Sequence, residues 1–247
     1  MRLDVYFGAH GLTPADVAGR TVAVIDVLRA STTIAVAVAN GARNVIPFDS
    51  SEEAVLRSKS FERRDVLMAG ERKMKPIPGF DLGNSPGEFA RAAIEGKTIL
   101  FATTNGTVAL VGVQGAKEVV VASYVNFSAV LAVLRTAARA GNDIAIICAG
   151  RERQFALEDS ACAGRFARHL SRRLTGVEVN DAGRACILIA RKYGDDVDRL
   201  FQDSSHGRAL VDAGFGADLA VCAALDKYPV VPVYQDRQIK LGNTRGR

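Results

Sequence analysis

Short apolar runs rich in β-branched residues recur along this chain of 247 residues, and a helix-compatible stretch follows nearly every one. Thr21–Val27 (TVAVIDV) reads as a strand, and the segment from Thr32 to Ala39 reads as a helix closed by Asn40-Gly41. Asn44–Phe48 is the next strand, after which Ser50 and Glu53 have the spacing of a capping box. Asp65–Ala69, Lys97–Ala102, Lys117–Ala122 and Asp143–Cys148 repeat the strand signal. Helices are expected from Ser85-Pro86 to Glu95-Gly96, over Thr107–Val113, over Phe127–Ala140 and over Leu157–Leu174. Apolar strands joined by helical crossovers imply a mainly parallel sheet covered on both faces. No Pro/Gly/Ser-rich linker divides the chain, so the expectation is one α/β domain over 1–247. Its fold would be a three-layer α/β/α arrangement with a mainly parallel or mixed sheet, carrying a helical elaboration near 181–226. Val230–Tyr234 is expected as a late strand at a sheet edge, because Pro232 cannot donate to a ladder.

Composition narrows the class of partner. Strongly apolar stretches such as Thr21–Val27 fall far short of the roughly 20 residues that a membrane helix needs. Met1-Arg2-Leu3-Asp4-Val5 carries an early acid and no following apolar leader, so a cytoplasmic protein is expected. Cys148, Cys162, Cys186 and Cys222 lack zinc-site spacing and read as reduced, buried thiols. The net charge of +5 favours anions. With 6% aromatic residues, no Trp and no basic run of five, the chain lacks the stacking and charge pattern of a nucleic-acid binder, which points to a small anionic ligand. The amount of apolar helix surface leaves room for a homodimer.

In a parallel sheet, ligands bind beyond the carboxyl ends of the strands, where helix N-termini carry partial positive charge. Three such loops stand out: Asp26-Val27-Leu28-Arg29-Ala30-Ser31-Thr32-Thr33, Thr103-Thr104-Asn105-Gly106-Thr107, and Ala149-Gly150-Arg151-Glu152-Arg153. Asp26 ends an apolar strand, where a carboxylate needs a compensating cation, so it is a metal-ligand or base candidate. Arg29 can fork a phosphate, and Ser31 and Thr32 can present hydroxyls and amides to it at a helix start. Thr104, Asn105 and Gly106 suit an oxyanion or phosphate nest. Glu158 and Asp159 open a helix, a position suited equally to its dipole and to metal ligation. Gly70–Pro86 is too rich in Gly and Pro for either regular element, and loops of this length are often functional lids. It carries Glu71, Arg72, Lys73, Lys75, Asp81 and Asn84. Among three histidines, His206 lies in the polar run Ser204-Ser205-His206-Gly207-Arg208 and can act as acid to a leaving alkoxide; His10 and His169 read as structural or surface residues.

No Gly-x-x-x-x-Gly-Lys-Ser/Thr, Gly-x-Gly-x-x-Gly or Gly-x-Ser-x-Gly pattern occurs. Cys162 and Arg168 have the Cys-x5-Arg spacing of cysteine phosphatases, but they fall inside a continuous helical pattern, where a phosphate loop cannot form.

Taken in chain order, five segments resemble the magnesium-dependent 2-phosphosulfolactate phosphatases of coenzyme M biosynthesis. They are Asp26 to Thr33, Gly70-Glu71-Arg72 with Gly79 to Pro86, Thr103 to Thr107, Cys148 to Arg151 with Leu157-Glu158-Asp159, and Ser205-His206-Gly207. The resemblance implies an α/β/α enzyme that uses Mg²⁺ to hydrolyse the phosphate monoester of a three-carbon sulfonated hydroxy acid. The mechanistic expectation assigns magnesium to Asp26, Glu158 and Asp159, with Glu71 or Asp81 ligating or activating water. Magnesium takes only one or two carboxylates, so these five acids cannot all be direct ligands. Arg29, Arg151, Thr104 and Asn105 would bind the phosphoryl group, Arg72 and Lys75 would add cations for the other acid groups, and His206 would protonate the leaving oxygen. A non-catalytic binding protein for a phosphorylated small acid or nucleotide is the alternative; it predicts affinity without phosphate release.

Overall fold

The computed structural model describes residues 1–242. Its strands are β1 (Arg2–Tyr6), β2 (Thr21–Ile25), β3 (Asn44–Phe48), β4 (Val66–Arg72), β5 (Lys75–Pro76), β6 (Thr98–Ala102), β7 (Glu118–Ala122), β8 (Ile144–Cys148), β9 (Glu178–Val179), β10 (Pro232–Gln235) and β11 (Gln238–Leu241). They form one sheet in the order β5-β4-β6-β3-β11-β10-β7-β2-β8-β1-β9. Most pairings are parallel, including β2 with both β7 and β8, and β6 with both β3 and β4. The hairpin β10–β11 is inserted antiparallel between β7 and β3.

Helices fill the crossovers: α1 (Pro14–Val17), α2 (Ala30–Ala39), α3 (Ser51–Ser58), α4 (Arg91–Ile94), α5 (Gly106–Gly112), α6 (Phe127–Arg139) and α7 (Leu157–Arg173). The expected helical elaboration is α8 (Asp181–Tyr193), α9 (Val197–Asp203), α10 (Ser205–Asp212) and α11 (Gly216–Ala223). Period-two alternation in fully apolar strands divides their side chains between two cores. Ala23 and Ile25 of β2 enter one core with Phe127, Leu134, Phe166 and Leu170, whereas Val22 and Val24 enter the other with Ile34, Val36, Ala109 and Leu110. The strands are thus sandwiched between helices, and the fold is α/β with a mixed sheet. No helix is long and apolar enough to cross a membrane among the described residues.

Gly164 sets how closely α7 approaches α8. A Cβ placed there would lie 1.9 Å from the carbonyl oxygen of Cys186, a backbone atom that cannot swing aside. Gly164→Ala is therefore expected to destabilise the fold by about 3 kcal/mol through overpacking, read as a lower urea midpoint with unchanged slope.

Three local expectations are corrected and one strand is added. The strand near Val230–Tyr234 begins at Pro232 and lies inside the sheet rather than at an edge. Pro232 is tolerated because β10 meets β7 only through Val233 and Tyr234, leaving the missing donor outside that ladder. The helix expected from Ser85 to Glu95 breaks into a 3-10 turn at Pro86–Glu88 and the short α4. Phe89 turns into the core edge-on to Phe101, and its carbonyl accepts from the Asn40 side chain instead of continuing a helix. Residues 70–86 are also not a bare loop, since β4 runs on to Arg72 and turns back through Lys73 and Met74 into β5. Finally, β1, absent from the sequence reading, pairs with β8, and its buried Asp4 is met by Arg20 at 2.9 Å.

Candidate active site

Asp26 follows β2 directly, and the chain wraps around it before α2 begins. Its backbone N–H donates to Ser31 Oγ at 2.9 Å, the Ser31 N–H donates back to the Asp26 carbonyl, and Oδ1 accepts from the Ala30 N–H at 3.3 Å. The neighbouring Gly106 lets α5 come against this carboxylate, since a Cβ there would lie 2.6 Å from Oδ2. Ser31 and Thr32, read as phosphate donors, are engaged inside the protein: Ser31 as described, and Thr32 with the Val27 carbonyl and Ser123 Oγ. They shape the loop instead of facing a ligand.

A cavity of about 250 Å³ opens beyond the ends of β2, β4, β6 and β8, with Asp26, Glu71, Thr104, Asn105, Arg151 and His206 in its wall. Arg29, Asn84 and Lys73 also line it. Four segments far apart in sequence therefore deliver their polar ends to one place, as a parallel sheet demands. Glu71 is held rigidly: Oε1 accepts from the Thr104 N–H at 2.8 Å, while Oε2 accepts from the Met74 N–H at 2.8 Å and the Thr104 hydroxyl at 3.2 Å. It ties β4 to the loop after β6. Asn105 ties that loop to the next one, its Oδ1 accepting from the Glu152 N–H at 3.1 Å.

Behind Asp26 lies the start of α7. Asp159 is buried and each of its oxygens accepts one backbone N–H, from Val27 at 2.8 Å and Gly150 at 3.1 Å, so it clamps the two loops together. Glu158 is also buried, with Oε1 3.0 Å from His206 Nδ1 and Oε2 lacking a hydrogen-bond partner among the described residues. Burial pushes the Asp26 carboxyl up to about 7; His206 pulls against this shift, while Glu71 and Glu158 add to it. Burial likewise holds Asp159 well above the usual carboxylate range, with Asp26 and Glu158 reinforcing the effect. Buried acids that repel one another in this way mark a place where a cation would be welcome. No three His, Cys, Asp or Glu side chains form a ready-made metal cluster among the described residues.

Arg29 is placed differently from a free phosphate fork. Its Nη1 donates to Asp218 Oδ2 at 2.7 Å and Ser85 Oγ at 3.1 Å, Nη2 donates to the Met74 carbonyl at 3.0 Å, and its guanidinium stacks 4.5 Å from the Phe215 ring. Asp218 is the residue that sequence reasoning missed. It sits in the first turn of α11, where an acid reads as a dipole partner, and its link to Arg29 spans 189 positions.

The structure does not bring the remaining candidates to the cavity. Asp81 pairs with exposed Arg63 and caps the Met68 N–H. Arg72 turns its guanidinium to the Asp49 and Glu71 carbonyls, and Lys75 is exposed on β5. His10 is exposed, and His169 bonds the Arg165 carbonyl within α7. Cys162 lies inside the unbroken α7, buried, with its thiol pushed well up by burial.

The profile of the 2-phosphosulpholactate phosphatase family matches residues 9–237 of this chain. The chain belongs to that family. A probable 2-phosphosulfolactate phosphatase of Symbiobacterium thermophilum is 43% identical over 231 residues, covering 93% of this chain and 98% of the relative. Similarly named relatives from Caldanaerobacter subterraneus subsp. tengcongensis and Thermotoga petrophila are 38% and 39% identical; they cover 94% and 86% of this chain and 95% and 88% of their own lengths. Membership of an enzyme family named for a phosphatase agrees with the cavity, and neither observation favours a non-catalytic binding protein.

Proposed function

We propose that this chain hydrolyses the phosphate monoester of 2-phosphosulfolactate to sulfolactate and inorganic phosphate, with magnesium as cofactor. The observation that carries the reading is the cavity at the strand ends, where family membership coincides with a buried carboxylate, a carboxylate-backed histidine and pocket cations. The acids fit a hard divalent ion: Glu158 has an unpartnered buried oxygen, and Asp26 faces the cavity. Asp26 and Glu158 would hold magnesium, whereas Asp159 would keep its role of clamping the loops after β2 and β8. Bound there, magnesium would polarise the phosphoryl oxygens and offset their charge.

The chain's own groups do the rest. Glu71, Thr104 and Asn105 shape the phosphoryl end of the cavity through their fixed hydrogen bonds. With Nδ1 facing Glu158, His206 leaves its other ring nitrogen for the cavity, where its proton can pass to the departing alkoxide as the ester P–O bond breaks and water's oxygen joins phosphorus, both of the water's hydrogens staying on the phosphate released. Monoester hydrolysis is among the slowest uncatalysed reactions known, so stabilising charge along this path is where most of the acceleration must arise. The four cysteines are buried and free, which suits a reducing cytoplasm.

The test is phosphate release from a panel of phosphorylated hydroxy acids with added Mg²⁺ or with chelator. The expected result is turnover of 2-phosphosulfolactate that disappears with chelator and returns with Mg²⁺. Tight binding of the same compounds with no release would instead establish a binding protein.

A further inference from the structure

We infer that Lys73 is a specificity-determining residue that grips the sulfonate of the substrate; this rests on the phosphatase reading above. The substrate carries a phosphate, a carboxylate and a sulfonate, and the reacting phosphate belongs at the acidic floor beside Asp26. Two further acid groups therefore need cations from the cavity wall. Arg29 is only 3% exposed, and its guanidinium is already bonded to Asp218, Ser85 and Met74. Lys73 and Arg151 are the remaining lysine and arginine of the wall, and among the described residues neither has a carboxylate within ion-pair distance.

Lys73 is held where it can act. It and Met74 form the two-residue tip between β4 and β5 with φ of 51° and 70°, the left-handed pair that a tight hairpin requires. Such a tip would be free to sway, but Met74 is fastened at both ends: its N–H donates to Glu71 and its carbonyl accepts from Arg29. Two residues that themselves line the cavity thus fix the hairpin, and the exposed lysine, itself part of the cavity wall, sits on a rigid mount. The two cations also differ in kind. A guanidinium matches the planar carboxylate with two parallel bonds, whereas an ammonium is a compact charge with three donors that suits a three-oxygen tetrahedral anion. Arg151 accordingly takes the carboxylate and Lys73 the sulfonate.

The test compares 2-phosphosulfolactate with 2-phospholactate, which differs only in lacking the sulfonate. Lys73→Met should lower the ratio of kcat/KM for the sulfonated over the unsulfonated substrate by about tenfold, as expected for one lost charge-assisted bond. The loss should appear in KM, and Lys73→Arg should restore much of it. Equal losses on both substrates, or an unchanged ratio, would overturn the assignment while leaving the phosphatase reading intact. Failure of the unaltered protein to hydrolyse either compound would overturn both. Because the side chain is exposed, Lys73→Met is not expected to perturb folding, and a matching urea midpoint checks this.

Discussion

Asp26→Asn is expected to lower the rate of phosphate release by about 10³-fold, on the scale of losing a principal electrostatic element of an active site. The same substitution should leave the metal-free fold intact, and even improve it near neutrality. Asp26 is buried, and burial raises its carboxyl from 3.8 to about 7, so in the metal-free protein the neutral form dominates below that pH. Asn is close in shape to a neutral carboxylic acid. The linkage has a definite sign: the folded state binds the Asp26 proton more tightly than the unfolded chain does. Its stabilisation is complete below pH 3.8 and is lost as pH rises through about 7. With chelator present, urea unfolding between pH 5 and 7 should show stability falling by up to about 1.4 kcal/mol per pH unit from this group. Asp26→Asn should remove that portion of the slope, leaving the part due to Asp159, whose carboxyl is shifted in the same direction. Full activity in Asp26→Asn, or a slope identical to that of the unaltered chain, would show that this carboxylate is neither the buried electrostatic centre nor the proton-linked group.

Much of this centre is legible in the sequence because a parallel sheet makes position along the chain report position in space. Asp26, Thr104, Asn105 and Arg151 each follow an apolar run that can only be a buried strand, so they all come to the carboxyl edge. The same logic reaches Glu158 and Asp159, at the first turn of the helix after β8. It fails where geometry is set by a turn. Glu71 and Asp81 look equivalent within one Gly- and Pro-rich stretch, but the hairpin at Lys73-Met74 folds Glu71 inward, while Asp81 pairs with Arg63 on the outside. A two-residue turn is ordinarily signalled by Asn-Gly or Asp-Gly, and Lys-Met carries no such signal. Arg29 marks a second limit. Its position was readable, but its partners were not, since Asp218 and Ser85 arrive through long-range packing of α11 and the turn before α4. Residue type gives a guanidinium its charge, but only the fold decides whether that charge faces a ligand or a neighbouring carboxylate.

His206→Asn is expected to lower turnover of 2-phosphosulfolactate by about 10²- to 10³-fold, the range for losing a positioned general acid. The size of the effect should depend on the leaving group. A secondary alkoxide leaves as a strong base and needs a proton in the transition state, whereas p-nitrophenolate does not. The defect should therefore be large with the alkyl phosphate and only a few-fold with p-nitrophenyl phosphate, measured under the same conditions with Mg²⁺. Placement supports this division of labour: Ser204 caps α10 through the Gly207 N–H at 2.8 Å, which fixes the first turn, and Glu158 orients the ring through Nδ1 at 3.0 Å. Glu158→Gln should lower turnover of both esters, because it loosens the ring held at Nδ1 and removes a carboxylate assigned to magnesium. Equal losses in His206→Asn on the alkyl and aryl esters would make His206 a positioning residue, and the leaving oxygen would then have to draw its proton from elsewhere in the cavity.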